Sequence, residues 1–166
     1  MKTYNKFPLW IAGVSNLNAI LLYVAGFLII NQLGIIVLLI YVAFVIILEI
    51  RLIRYHCVNC FYYGKVCGFG KGRLSALFFK KGKTSDFCSK ELGWKDMIPD
   101  MLLSLIPFVT GIVLLILEFN VFILAALLVI ILTTTVGNSF IRGSLTCKYC
   151  KQKELGCPAE QLFQKK

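Results

Sequence analysis

The sequence predicts an all-α integral membrane protein of four transmembrane helices, arranged as two tandem helical hairpins with a small Cys-rich cytosolic layer. Three observations predict it. Two long apolar blocks carry no Lys or Arg, each block has one polar break in its middle, and the same three-cysteine spacing follows both blocks.

Of the 166 residues, 58% are hydrophobic, against about 45–50% in soluble domains, and the mean hydropathy is +0.80. The first block runs from Phe7 to Ile50. As one helix it would be about 66 Å long at about 1.5 Å per residue, and a bilayer core is only about 30 Å thick. It must therefore fold back, and the polar break is Asn31-Gln32 followed by Gly34. Helices are expected over about 7–30 and 33–50. The second block, Met97 to Ile141, breaks at Glu118-Phe119-Asn120, which places helices at about 97–117 and 121–141. Asp96, Pro99 and Asp100 read as ordinary helix-start residues of the third span. Pro107 falls inside that span, where a neighbour must satisfy the carbonyl it frees. Lys2 and Lys6 resemble the basic start of a signal peptide, but the apolar run is too long for one, so a retained helix is expected. The blocks are apolar on every face, which excludes an amphipathic soluble bundle.

Charge orients the helices. Of the 18 Lys and Arg residues, two precede the first span, ten lie between Arg51 and Lys95, and six lie from Arg142 onward; the two short turns carry none. Cationic segments stay on the cytosolic side, so the chain is expected in the cell membrane with both termini and the middle segment cytosolic. The net charge of +10 then belongs to one membrane face and suits anionic lipid headgroups. Nucleic acid is not an expected partner.

The chain reads as one unit written twice. Lys6, Asn31 and Arg54 correspond to Lys95, Asn120 and Arg142, and Cys57, Cys60 and Cys67 to Cys147, Cys150 and Cys157; both triplets are C-x2-C-x6-C, and the offset stays at 88–90 residues. Repeat one is 1–94, with an extra segment from Gly68 to Trp94, and repeat two is 95–166. Two helices per repeat give both halves the same topology, which implies parallel repeats about a pseudo-twofold axis along the membrane normal.

All seven cysteines lie outside the expected spans, in a reducing compartment where structural disulfides are rare. Two thiols separated by two residues can grip one tetrahedral metal from a tight turn, as in zinc and iron–sulfur sites. The metal ligands expected are Cys57, Cys60, Cys67, Cys147, Cys150 and Cys157, with Cys88 and His56 as candidates for a fourth ligand to the first triplet. The second triplet has no such neighbour, so it borrows a ligand across the axis, takes water, or leaves an iron open. Zinc and iron–sulfur are both compatible with thiolates. Lys65, Lys71, Lys148, Lys151 and Lys153 surround the thiols and favour thiolate.

The glycine-rich stretch around Gly68-Phe69-Gly70-Lys71-Gly72-Arg73 fails as a P-loop, because no hydroxyl residue follows the lysine. Its amides, with Lys71, Arg73, Lys80 and Lys81, are expected at lipid phosphates, and Leu77-Phe78-Phe79 in the membrane interface. An intramembrane polar patch is expected from Ser15, Asn16, Asn18, Thr134 and Asn138, chiefly as hydrogen bonds between helices. There is no Ser-His-Asp set and no H-E-x-x-H.

These residues point to a membrane-anchored protein with a cytosol-facing metal or iron–sulfur centre. Its role would be electron transfer or docking of a soluble cytosolic redox partner. The alternatives are a thiol oxidoreductase or lipid-headgroup enzyme, and a small metal carrier or transporter. A reporter fused after Lys166 is predicted to read as cytosolic; an external signal overturns the topology.

Overall fold

The computed structural model describes residues 3–88 and 94–157, leaving aside the side chains of residues 88 and 94–96. It is all-helical, and four helices are long and apolar enough to cross a membrane. The first hairpin is α1 (Leu9–Ile30), a single 3-10 turn (Asn31–Leu33) and α2 (Ile35–Tyr55). Gly34, at φ 104°, makes the reversal in a region that L side chains avoid. Two short helices follow, α3 (Lys71–Phe78) and α4 (Thr84–Cys88). The second hairpin is α5 (Trp94–Leu117) and α6 (Val121–Leu132), which continues through a π-helical turn (Thr133–Gly137), α7 (Asn138–Phe140) and a second π turn (Ile141–Thr146). Asn120 caps α6, its side-chain oxygen accepting the Phe122 amide at 2.9 Å, so the break residue is also the start signal. A last short helix, α8 (Lys151–Glu154), follows the second cysteine turn.

Three boundaries differ from expectation, one of them the end of the fourth span, which stays helical past Ile141 to Thr146. α2 continues past Arg51 to Tyr55, because Arg near a helix C-terminus complements the carbonyl end. α5 begins at Trp94, so Pro99 lies inside the helix rather than in its first turn.

The chain divides into two compact units. One holds residues 17–48 and 95–139: the later part of α1, its turn, the earlier part of α2, and nearly all of α5 with α6. Its core joins Ala25 and Ile29 of α1 to Ile123, Ala126, Leu127 and Ile130 of α6, with Phe108, Leu114 and Leu115 of α5 packed against them. Small residues set the spacing: a Cβ on Gly111 would press on Leu127 and Ile29, the close approach typical of helices in lipid. Large apolar side chains such as Ile36, Ile116 and Phe122 (85% exposed) point outward, a surface suited to hydrocarbon.

Proline and threonine shape the helices here. Pro107 is buried inside α5 and cannot donate to the carbonyl four residues back, that of Leu103. The Tyr41 hydroxyl of α2 donates to that carbonyl at 3.2 Å. Gly26 makes room, since a Cβ there would collide with the Tyr41 ring and meet Pro107. In helix four the hydroxyls of Thr133, Thr134 and Thr135 donate to Val129, Ile130 and Ile131 carbonyls at 2.7, 2.6 and 2.6 Å. Such back-bonding competes with the amide ladder, and the helix widens into its π turn at these residues.

The other unit holds residues up to Asn16, 49–94 and from Phe140 onward. Asn18 makes one interhelical bond, to the Thr133 carbonyl at 3.3 Å, while Thr134 bonds its own helix and is not glue between helices. The Asn138 amide closes the π turn on Thr133 and Thr135. Ser15 and Asn16 belong to the cysteine-bearing unit, where Asn16 donates to Ala12 at 2.8 Å.

Tyr41→Phe is predicted to lower stability in detergent by about 1 kcal/mol, the net worth of one hydrogen bond. In a Pro107→Ala background, where the ladder bond returns, the same change should cost little. Equal losses in both backgrounds contradict the pairing.

Candidate functional site

Two short turns carry the cysteines. Cys57–Asn59 and Cys147–Tyr149 are each a single 3-10 turn. The Cys60 amide closes on the Cys57 carbonyl at 3.3 Å, and the Cys150 amide on that of Cys147 at 3.2 Å. Both closing cysteines then turn extended, at φ −80°, ψ 150° and φ −79°, ψ 121°. An extended residue after a tight turn directs the next amides back toward its sulfur. The Tyr62 amide favours the Cys60 thiolate, and the Gln152 amide that of Cys150. Cys67 Sγ accepts the Gly72 amide at 3.3 Å.

The two turns are laced together by an exchange. The Phe61 amide donates to Gln152 Oε1 at 2.8 Å, and the Lys151 amide donates to the Tyr62 hydroxyl at 2.9 Å. In each turn the residue one after the second cysteine donates, and the residue two after it accepts from the other turn. Both acceptor side chains are 1% exposed. The N-terminal segment completes the seam: Tyr4 N–H bonds the Tyr149 carbonyl at 3.0 Å, Phe7 N–H bonds that of Val66 at 3.0 Å, and Tyr62 donates to the Tyr4 carbonyl at 2.6 Å. Phe7, Ile11 and Tyr62 form the core of this seam, and Cys60, Cys67 and Cys150 pack against it.

The six thiols of the triplets are free. Cys57 lies within electrostatic reach of Cys60 and Cys67, Cys60 of Cys67 and Cys157, and Cys150 of Cys60, Cys147 and Cys157. Burial pushes Cys60 up to about 11, against the Tyr62 amide that favours its thiolate. Burial likewise pushes Cys150 up to about 12, against the Gln152 amide, with neighbouring cysteines adding to the rise. Among the described residues, no three His, Cys, Asp or Glu side chains converge as a ready metal-ligand group.

The His56 ring lies edge-on to Phe87, centroids 6.3 Å apart. Cys88 ends α4, and its side chain lies outside the described residues.

The glycines serve packing. A Cβ on Gly72 would strike the Tyr62 and Lys65 carbonyls, and one on Gly68 would strike Thr146. Amides expected to cradle phosphate are spent internally: Gly72 on Cys67 Sγ, and Gly70 on the Cys67 carbonyl at 3.0 Å. The Lys71 ammonium donates to both Glu49 oxygens, at 2.7 and 2.5 Å. Arg73, Lys80 and Lys81 are exposed, beside exposed Leu74, Leu77 and Phe78. Of the interleaved lysines, Lys65 and Lys151 both lie over the Phe61 ring, at 4.2 and 5.2 Å.

The fold and the seam together define a four-helix protein fit to cross a membrane, with six thiols in one compact unit. No family model, curated protein or solved structure matches the chain.

Sequence reasoning missed Tyr4, Phe7, Tyr62 and Gln152. One signal was present: the residue two after the second cysteine is a long hydrogen-bonding side chain in both triplets. Tyr62→Phe and Gln152→Leu should each loosen the seam by about 1 kcal/mol, about fivefold in opening equilibrium. Alkylation of Cys60 and Cys150 under native conditions should quicken by that factor in either variant; rates that stay at the wild-type value contradict the lacing.

Proposed function

We propose that the protein holds a thiolate-ligated metal centre, zinc or iron–sulfur, on the cytosolic face of the membrane. There it serves electron transfer or the docking of a soluble redox partner. The observation that carries this reading is the gathering of all six triplet thiols, none in a disulfide, in one compact unit, with the Gly72 amide donated to Cys67 Sγ at 3.3 Å. A neutral thiol is a weak acceptor, whereas a thiolate gains from each N–H it receives. Buried thiolates without a cation are unfavourable, and burial holds Cys60 and Cys150 as thiols until one arrives. Metal binding displaces those protons and draws the ligands in.

A parallel repeat is supported by the matching 3-10 turns and by the exchange between them. The cytosolic orientation rests on the distribution of Lys and Arg. Contact with anionic lipid is assigned to Arg73, Lys80 and Lys81, next to the exposed apolar face of α3.

Protein purified anaerobically is predicted to contain zinc or iron by elemental analysis. Brown absorbance identifies iron–sulfur, and a colourless zinc-loaded protein identifies zinc. Replacing Cys60 and Cys150 together with Ser should remove the metal and lower the melting temperature. Unchanged metal content and melting would refute the centre.

A further inference from the structure

The two cysteine turns match in backbone but not in surroundings. Each is one 3-10 turn closed by the amide of its second cysteine, at 3.3 Å in the first and 3.2 Å in the second. Such a turn brings its first and fourth Cα atoms within about 7 Å and stacks their side chains along one edge. A disulfide joins Cα atoms about 4.4–6.8 Å apart. In the second turn Cys147 has helical angles, φ −65° and ψ −34°. Cys150 keeps a helical φ of −79° and departs only in ψ, which redirects the chain after it and leaves its own Cβ in place. Rotation about one torsion in each side chain, between staggered wells, is what remains for the two sulfurs to meet.

The turns differ in their cover. Residues of the extra segment in repeat one lie against the first turn. The Gly82 amide bonds the Val58 carbonyl at 3.1 Å, a Cβ on Gly82 would strike the Asn59 side chain, and the His56 ring meets Phe87. Cys57 and Cys60 are half-buried there. Of the six triplet thiols, that of Cys147 alone is exposed. Cys150 behind it is half-buried and is fixed by the backbone bridge to Tyr4 and by the Lys151 amide on Tyr62. An open thiol thus precedes a sheltered one by three residues, on a turn already shaped for their bond.

We propose that Cys147 and Cys150 are a redox-active dithiol that exchanges with a small anionic disulfide of the glutathione type, while Cys57 and Cys60 stay reduced. The dithiol rests on turn geometry and exposure, and not on the metal centre. Cys147, as its thiolate, attacks one sulfur of the incoming disulfide. That S–S bond breaks, a mixed disulfide forms on Cys147, and the first glutathione leaves as a thiolate and takes up a proton. Cys150 then attacks the Cys147 sulfur, and its own proton goes to the second departing glutathione. Two protein thiols become one disulfide, and two electrons reduce one glutathione disulfide to two thiols. The exposed Lys148 next to Cys147 attracts the carboxylates of such a molecule. In a reducing compartment a disulfide of this kind is transient and redox-sensing rather than structural.

The experiment incubates the reduced full chain in detergent with glutathione disulfide, with and without a chelator, then alkylates the free thiols and maps them by mass spectrometry. With chelator present, the first change expected is the loss of two alkylatable thiols and a link between Cys147 and Cys150. Cys150→Ser should instead hold one glutathione on Cys147, and Cys147→Ser should leave Cys150 free. A Cys57–Cys60 link that forms first or at an equal rate overturns the proposal. So does a link from Cys147 to another cysteine, or no oxidation in the chelated protein. Oxidation that slows without chelator supports the dithiol and reports an ion on its thiols. Equal rates in the two arms also support it, and count against the metal centre alone. The order of linking is read in the wild-type protein, so a variant that fails to fold does not obscure the result.

Discussion

Two hydrogen bonds, Phe61 to Gln152 and Lys151 to Tyr62, join cysteine turns that lie about ninety residues apart in the chain. Each buries an amide and its acceptor away from water, where a polar group without a partner costs about 1–3 kcal/mol. Neither turn can leave the other without exposing both. The N-terminal segment depends on the same seam, because the Tyr62 hydroxyl that accepts from Lys151 also donates to the Tyr4 carbonyl. The tight glycine loop follows from it too: Gly72 must lie against the Tyr62 carbonyl for its amide to reach Cys67.

The helices in the other unit obey a different constraint. A span in hydrocarbon must satisfy every backbone group internally, and helix three breaks its own ladder at Pro107. Tyr41 repairs that break at the Leu103 carbonyl, and the missing side chain of Gly26 lets it reach there. In helix four, the threonine hydroxyls take carbonyls from the ladder, and Asn18 uses one carbonyl of the widened turn, with Gly137 small enough to admit it. Both devices are chemistry of side chains against the main chain. Neither needs the charged pairs that a soluble bundle places on its surface.

Chain length and apolar blocks made the four spans legible, because hydrocarbon thickness fixes how many residues cross it. Asn120 was readable as a break and not as a cap, since capping depends on a side-chain angle that composition does not carry. The cysteine triplets were readable from spacing alone, but the residues that join them were not. Tyr62 and Gln152 look like ordinary interfacial residues until two distant turns are brought together. Glycine richness misled: the same residues serve a phosphate cradle or a close backbone approach, and only the Cβ clearance at Gly72 and Gly68 separates the two. The Glu49 partner of Lys71 was not legible either, since twenty-two residues separate the two in the chain. Ser15 Oγ, buried and without a hydrogen-bond partner among the described residues, has no account in either view.

The central claim is that the two turns behave as one unit, and amide hydrogen exchange tests it most directly. In the intact protein the Phe61 and Lys151 amides should be strongly protected and should exchange at the same rate, because opening one turn opens the other. Gln152→Leu removes only the acceptor for Phe61, yet the account predicts that protection falls at both amides together. If Phe61 loses protection while Lys151 keeps its wild-type rate, the turns are independent, and the account of the seam is contradicted.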